Sequence, residues 1–310
     1  MKPILVTTYI NPDLDGFASV LAYTEFLNKT GFSAQSYFSG HLLNDASFVA
    51  GKFRINYFNQ LIDPAEYERV VVLDLSDLNR LDEKINPRNV IEVIDHRPVS
   101  DLTAFPNAKY RLEMIGASAT IVAEIFKEKQ VEISPETARL LCCAIAVHNL
   151  DFKSSGATQR DRDTFERLKK KSGFDSAFVK EVFLAISSFP GPKLAETMEN
   201  DFKWLKIGDR KVGVAQLEIV NGKDLVGQRE KEILDKLVGL KDKLFLDFVF
   251  LTVTDVGEGI DYWVAGDPRT QELLKRVFKV EFAGNLTQTS KIILRKEIFS
   301  LTKQALESNI

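Results

Sequence analysis

Cysteine is nearly absent from this 310-residue chain: the two present, Cys142 and Cys143, are adjacent inside the apolar run of residues 138–147. That placement suits reduced core thiols, argues against a disulfide framework and leads to the expectation of a cytoplasmic protein. Long hydrophobic runs are missing too. No segment approaches about 18 uninterrupted apolar residues, so no membrane span is expected, and the first residues lack a signal-peptide pattern. Positive charge is not in excess. A net charge of -3 gives no electrostatic footprint for long nucleic acid. Internal repeats and low-complexity tracts are lacking, and histidine is limited to His41, His96 and His148. What is abundant is ordinary globular material: 45% hydrophobic residues over this length are enough for two domains, each with its own core.

Short β-branched runs alternate with helical patterns through residues 1–188, the pattern of an α/β domain with a parallel sheet and helices on both faces. Strands are expected at 4–10, 33–38, 70–75, 90–95 and 109–114. Helices are expected at 16–28, where Phe17, Val20, Leu21, Phe26 and Leu27 recur at helical spacing, and at 121–126, 138–147 and 161–171. The run Ser187-Ser188-Phe189-Pro190-Gly191-Pro192 breaks regular structure, and residues 189–195 read as a linker. Residues 196–310 then read as a smaller mixed α+β domain, with strands at 211–219, 245–254 and 261–265 and a helix at 225–240. Two domains joined this way suggest a ligand cleft between them.

Acids and histidines gather where these strands should end. Asn11-Pro12-Asp13-Leu14-Asp15-Gly16 follows the first strand, Asp74 ends the third and Asp95-His96 ends the fourth. Open α/β sheets bind ligands at such edges, and Asp with His is a set of divalent-cation ligands. Each has a plainer alternative, an N-cap for Asp13 or Asp15 and turn chemistry for Asp74. An EF-hand loop is excluded because its third acid and terminal Glu are missing. Asp95 is expected to fix the tautomer of His96. His148 closes an apolar helix. Gly116-Ala117-Ser118-Ala119-Thr120 opens another, and free amides at a helix start suit a phosphate, a Ser/Thr cap being the alternative. Lys203, Lys291, Arg295 and Lys296 form either a solvated face or a clamp for an oligophosphate.

Taken in order, these segments resemble the DHH phosphoesterase superfamily, whose motifs are an Asn-Pro-Asp-x-Asp turn, a strand-end Asp, the Asp-His-His signature and a Gly-Ser/Ala-x-x-Thr segment. Asp201-Phe202-Lys203, Val212-Gly213-Val214-Ala215-Gln216 and Leu294-Arg295-Lys296 make the second domain similar to that of family II (manganese-dependent) pyrophosphatases, exopolyphosphatases and the prune group. The Gly-Gly-Gly-His motif of oligonucleotide-degrading relatives is absent. The resemblance implies metal-dependent hydrolysis of a phosphoanhydride, pyrophosphate or short polyphosphate. It implies Asp13, Asp15, Asp74, His96 and His148 as metal ligands, Asp74 and Arg97 as catalytic groups, and Arg97, Lys203, Arg295, Lys296 and Ser118 as substrate ligands. The ion implied is Mn²⁺, with Co²⁺, Mg²⁺ or Zn²⁺ as alternatives, and the partner is a small phosphate compound; a homodimer is left open.

Four positions depart from the family pattern. Tyr9 stands where its first ligand His is expected, His148 where an Asp is expected, Arg97 where the signature has its second His, and Leu294 where a Ser precedes Arg-Lys. One imidazole is thus lost and another gained, which shifts preference towards borderline metals and leaves one or two ions per site. Two other functions stay open on the sequence: a phosphodiesterase acting on a small or cyclic nucleotide, and a non-catalytic module that binds a phosphate ligand or a protein.

Overall fold

A computed structural model describes residues 2–57, 62–75, 78–97 and 103–307. The chain forms two compact units, Met1–Val182 and Phe183–Ile310. The division lies upstream of residue 188 because Phe189 belongs to the apolar core of the second unit. Residues 187–192 carry no helix or strand, and a helix resumes at Lys193 within the expected linker.

In the first unit, β-branched runs build five parallel strands: β1 (Ile4–Thr7), β2 (Ala34–Ser36), β3 (Val70–Leu73), β4 (Val90–Asp95) and β5 (Lys109–Leu112). Their order is β2-β1-β3-β4-β5. Helices α1 (Leu14–Lys29), α3 (Ser118–Glu128), α4 (Pro135–His148) and α5 (Gln159–Ser172) pack on one another, with α2 (Asn44–Phe53) against α1 and α6 (Ala177–Ile186) ending the unit. Helix starts follow local chemistry. Ser134 accepts from the Thr137 amide with Pro135 in the first turn of α4, and Thr158 and Asp161 form a reciprocal capping box on α5.

The parallel sheet with helices is the one expected, and its two faces are covered differently. The face carrying Leu5, Val70, Val72, Val90 and Val93 is covered by Leu81, Ile85 and Phe105 from connecting segments. Right-handed crossovers place the rightward connections β3→β4 and β4→β5 on the face opposite that of the leftward β1→β2 connection. Among the described residues the β3→β4 connection holds two 3-10 turns, Leu78–Arg80 and Pro87–Asn89, and the β4→β5 connection holds neither helix nor 3-10 turn. Chain direction therefore reverses between β1 and β3, leaving a crevice at their C-terminal ends.

The turn into α3 is held from a distance. Fully buried Asp161 accepts from the Gly116 amide at 3.0 Å, the Thr158 amide at 2.8 Å and the Thr120 hydroxyl at 2.6 Å. A β-carbon on Gly116 would lie 2.0 Å from Asn149 Oδ1 and 2.7 Å from Asp161 Oδ2.

The second unit has β6 (Lys203–Ile207), β7 (Arg210–Ile219), β8 (Phe248–Asp255), β9 (Ile260–Val264) and β10 (Leu286–Gln288) in the order β10-β9-β8-β7-β6. Only β7 and β8 pair in parallel. Alternate residues face α7 (Lys193–Asn200) and α8 (Gly222–Leu244) on one side, and α9 (Pro268–Phe278) and α10 (Arg295–Glu307) on the other. Buried Asp261 of β9 accepts from Thr254 Oγ1 and from the Ile293 amide, both at 2.7 Å. Its own amide donates to Thr289 Oγ1 at 2.9 Å, so it fixes the segment leading into α10. Desolvation raises its carboxyl to about 6, against the opposing effect of those hydrogen bonds.

Gly116→Ala should destabilise the first unit by about 1–3 kcal/mol, read by urea unfolding, because Asp161 Oδ2 cannot retreat without losing its bonds to the Gly116 and Thr158 amides. In the folded chain Asp261 keeps its proton up to about 6, whereas an unfolded Asp releases it near 4 (about 3.9). The stability it contributes is complete below about 4 and is lost as pH rises through about 6, by at most about 2–3 kcal/mol. Asp261→Asn should flatten that slope of stability against pH; an unchanged slope refutes the assignment.

Candidate metal centre

The acidic turn after β1 is shaped before any ion is considered. Asn11 takes a left-handed backbone (φ 58°), which Asn tolerates better than most residues. The β2–α2 connection runs along this turn. The Asn11 amide donates to Ser39 O at 3.0 Å, the His41 amide to Asn11 Oδ1 at 2.9 Å, the Leu43 amide to Pro12 O at 2.9 Å and the Leu14 amide to Asp45 Oδ2 at 3.1 Å. Asp13 caps α1 by accepting from the Gly16 amide at 3.0 Å. The plain capping role is therefore real, and it orients the carboxylate.

Asp15 is fully buried and reaches across the fold. Its oxygens accept from the Ser118 and Ala119 amides, each at 2.8 Å. The expectation of free donors at the head of α3 is thereby corrected: the helix N-terminus holds an internal carboxylate, because an anion of this chain already satisfies its orphan amides. Ser118 Oγ in turn donates to Asp74 Oδ1 at 3.0 Å. Asp74 leaves β3 with φ 55°, and its amide donates to Ile94 O at 2.8 Å.

Beyond β4, His96 Nδ1 lies 3.1 Å from Ile115 O, and Nε2 lies 3.4 Å from Asp74 Oδ1. A carbonyl only accepts, so Nδ1 carries the proton and Nε2 presents its lone pair to the crevice. Ile115, and not Asp95, thus sets the tautomer. Asp95 instead holds Arg97, through its amide at 3.0 Å and Nε at 3.1 Å. Arg97 Nη2 donates to Asp74 O at 2.7 Å and Oδ1 at 3.2 Å, and Nη1 has no partner among the described residues.

His148 ends α4 with its ring 5.0 Å from that of His96 and nearly perpendicular to it. Its Nδ1 lies 3.6 Å from Asp13 Oδ2. Leu150, Asp151 and Phe152 follow in left-handed conformation, φ 53°, 51° and 63°. This strained turn is held by Phe152 packing on Phe165 and by Arg162 donating to Phe152 O at 2.8 Å.

Ligand atoms of Asp15, His96 and His148 lie within 4.8 Å of one another, as do those of Asp74, Asp95 and His96. Electrostatics agree with a cation site. Burial, then Asp74 and Asp13, push Asp15 well above the usual carboxylate range; burial also raises Asp74, against the pull of Arg97. Burial alone would raise Asp13, but His148, the Gly16 amide, the Tyr9 hydroxyl and Arg97 outweigh it and lower its carboxyl. Such crowding is relieved by a divalent ion, and two imidazoles with carboxylates are a fitting donor set. Tyr9 is buried with its hydroxyl accepting from the Asp13 amide at 3.1 Å, and burial raises it well above the usual phenol range. Its phenol is neutral and a poor ligand.

Sequence reasoning missed Asp45, a carboxylate raised to about 6 first by burial and then by Asp13, and Asp161. An acid beside Asn44 at a helix start was the only signal for the first. The second gave none, because its partners are remote.

In the second unit the expected cations share one region. Arg295, first in α10, forms a two-pronged pair with Asp201 at 2.6 and 3.1 Å, and its amide donates to Gln216 Oε1 at 2.8 Å. Lys203 opens β6 opposite Val214, exposed, and Lys296 is exposed on α10.

Residues 3–145 match the model described as DHH family, N-terminal domain, and residues 180–303 match the DHHA2 domain. A probable manganese-dependent inorganic pyrophosphatase of Bacillus velezensis is 30% identical, over 98% of this chain and 96% of the relative. One of Clostridium acetobutylicum bearing the same name is 28% identical, over 95% and 94%. A crystal structure described as a putative family II inorganic pyrophosphatase of Methanococcus jannaschii shares the fold, with a TM-score of 0.74 at 23% identity, covering 98% of this chain and 99% of that one. With its motifs, its two sheets and these relatives in agreement, the chain belongs to the DHH family, in the form that carries a DHHA2 domain and includes the manganese-dependent inorganic pyrophosphatases.

Proposed function

We propose that the chain is a metal-dependent phosphohydrolase acting on inorganic pyrophosphate or a short polyphosphate. The observation that carries this reading is the convergence of Asp15, His96 and His148 within 4.8 Å, beside buried Asp74 and half-buried Asp13. The names of its relatives supply the substrate and point to Mn²⁺. Two imidazoles in the donor set would also accept Co²⁺ or Zn²⁺. When bound, divalent ions would polarise phosphoryl oxygens and make a coordinated water more acidic.

The chain's own groups have separate tasks. Asp13, Asp15, Asp74, His96 and His148 hold the ions. Ile115 keeps His96 in the tautomer that leaves Nε2 bare. Asp95 and the Asp74 carbonyl clamp one edge of Arg97, so its remaining Nη1 meets a phosphate oxygen without reorganisation. Lys203, Arg295 and Lys296 of the second unit supply positive charge for phosphate oxygens. Ser118 acts through Asp74, which its hydroxyl orients. Buried free Cys142 and Cys143 suit a reducing compartment, so the proposed location is the cytoplasm. Among the described residues no helix is long and apolar enough to cross a membrane.

Purified protein given pyrophosphate or tripolyphosphate with Mn²⁺, Co²⁺ or Mg²⁺ should release phosphate, and Asp74→Asn should slow release by about 100-fold or more. No release with any ion, or equal release by the variant, overturns the proposal. Independently of turnover, Mn²⁺ at 100 times its Kd should stabilise the chelator-stripped protein by about 2.7 kcal/mol in thermal melts. That gain should vanish in Asp74→Asn.

A further inference from the structure

Arg80 ends the 3-10 turn Leu78–Arg80 that follows β3. Its carbonyl accepts from the Ile10 amide at 3.0 Å, which pins it beside the segment entering the acidic turn. Its guanidinium carbon stands 3.8 Å from the centroid of the Tyr9 ring. That ring is only 4% exposed, and its hydroxyl touches the Asp13 amide at 3.1 Å. One phenol therefore joins an exposed cation to the wall of the metal centre.

The side chain is oriented but not used. Arg80 forms no ion pair among the described residues, although Asp13 and Asp74 both act on the ring beneath it. An unpaired surface arginine would ordinarily sample many rotamers. Stacking on an aromatic face, worth about 0.5–1 kcal/mol at an exposed site, holds its plane while leaving its hydrogen-bond donors open. A planar fork with open donors matches a phosphate oxygen pair. Arg97, with one open edge, is held by Asp95 of β4 and by the Asp74 carbonyl after β3.

We propose that Arg80, positioned by Tyr9, is a phosphate-binding residue of this site, so that its oligophosphate ligand is gripped by two arginines of the first unit. The proposal rests on the phosphohydrolase reading. It gives Tyr9 a purpose: a neutral phenol adds no charge for an ion at that position, and the guanidinium it carries supplies one positive charge there.

Imidodiphosphate, which resists hydrolysis, is titrated calorimetrically into Mn²⁺-loaded protein. Arg80→Ala should weaken binding by about tenfold, and Arg80→Lys by less, because an ammonium keeps the charge but lacks the fork. Tyr9→Leu should weaken it similarly, and the double variant no further than either single one, since both changes remove the same contact. The KM for pyrophosphate should rise in Arg80→Ala by the same factor with kcat within about twofold, and the metal-to-protein ratio should stay at the wild-type value. Equal imidodiphosphate affinity in wild type and Arg80→Ala, with pyrophosphate turnover intact, overturns the role of Arg80 and leaves the proposed function standing. Wild-type protein that neither binds the probe nor releases phosphate overturns both.

Discussion

The first unit depends on a carboxylate that binds a helix. Asp15 accepts from the Ser118 and Ala119 amides at 2.8 Å each, joining the start of α1 to the start of α3 across more than 100 residues of sequence. Charge-assisted bonds of this kind contribute about 1.5–3 kcal/mol each, and the aligned peptide dipoles of α3 favour the anion further. The same bonds hold the head of α3 beside the acidic turn, so Asp74, held by Ser118, falls beside Asp15. Two amides occupy only half of a carboxylate's acceptor sites. The remaining lone pairs face the imidazoles.

Fold and centre were unequally legible in the sequence. All five strands of the first sheet and the helices of residues 14–29, 118–128, 135–148 and 159–172 stand where β-branched runs and apolar stripes put them. The candidate ligands were legible because Asp13, Asp15, Asp74 and His96 follow recognisable strands and His148 closes an apolar helix. Their partners were not. Spacing cannot say that His96 bonds to Ile115 or that Asp161 braces Gly116, since each pairing depends on how remote segments are brought together. Helix α2 and strand β6 were missed for a different reason. In β6, four of five residues are exposed, so no alternation marks it, and in α2 only Ala46, Val49 and Ala50 are buried.

In the second unit, three segments far apart in sequence meet around Arg295. Asp201 takes both of its terminal nitrogens, and Gln216 takes its amide. An arginine so neutralised is a weaker anion ligand than an open one. The pairing leaves the exposed ammonium groups of Lys203 and Lys296 as the mobile charge of that surface, while Asp201 keeps Arg295 from collapsing onto its own helix. Asp261 serves the same region from beneath by holding Ile293 and Thr289, so one buried acid and one surface acid together define where α10 begins.

Backbone strain marks the places where these arrangements could not be reached by regular structure. Asp74 turns left-handed directly after β3, Asn11 does so in the turn between β1 and α1, and Leu150, Asp151 and Phe152 do so after His148. For Asn and Asp the cost is small, because short polar side chains tolerate this region. For Leu and Phe it amounts to about 1–3 kcal/mol per residue. The strained turn returns the Asp151 amide to Ala146 O at 2.8 Å and ends α4 with its imidazole at the crevice. Burial of Leu150 and the edge-on contact of Phe152 with Phe165 offset that cost. Hydrophobic packing behind the centre is thus what holds the added imidazole in place.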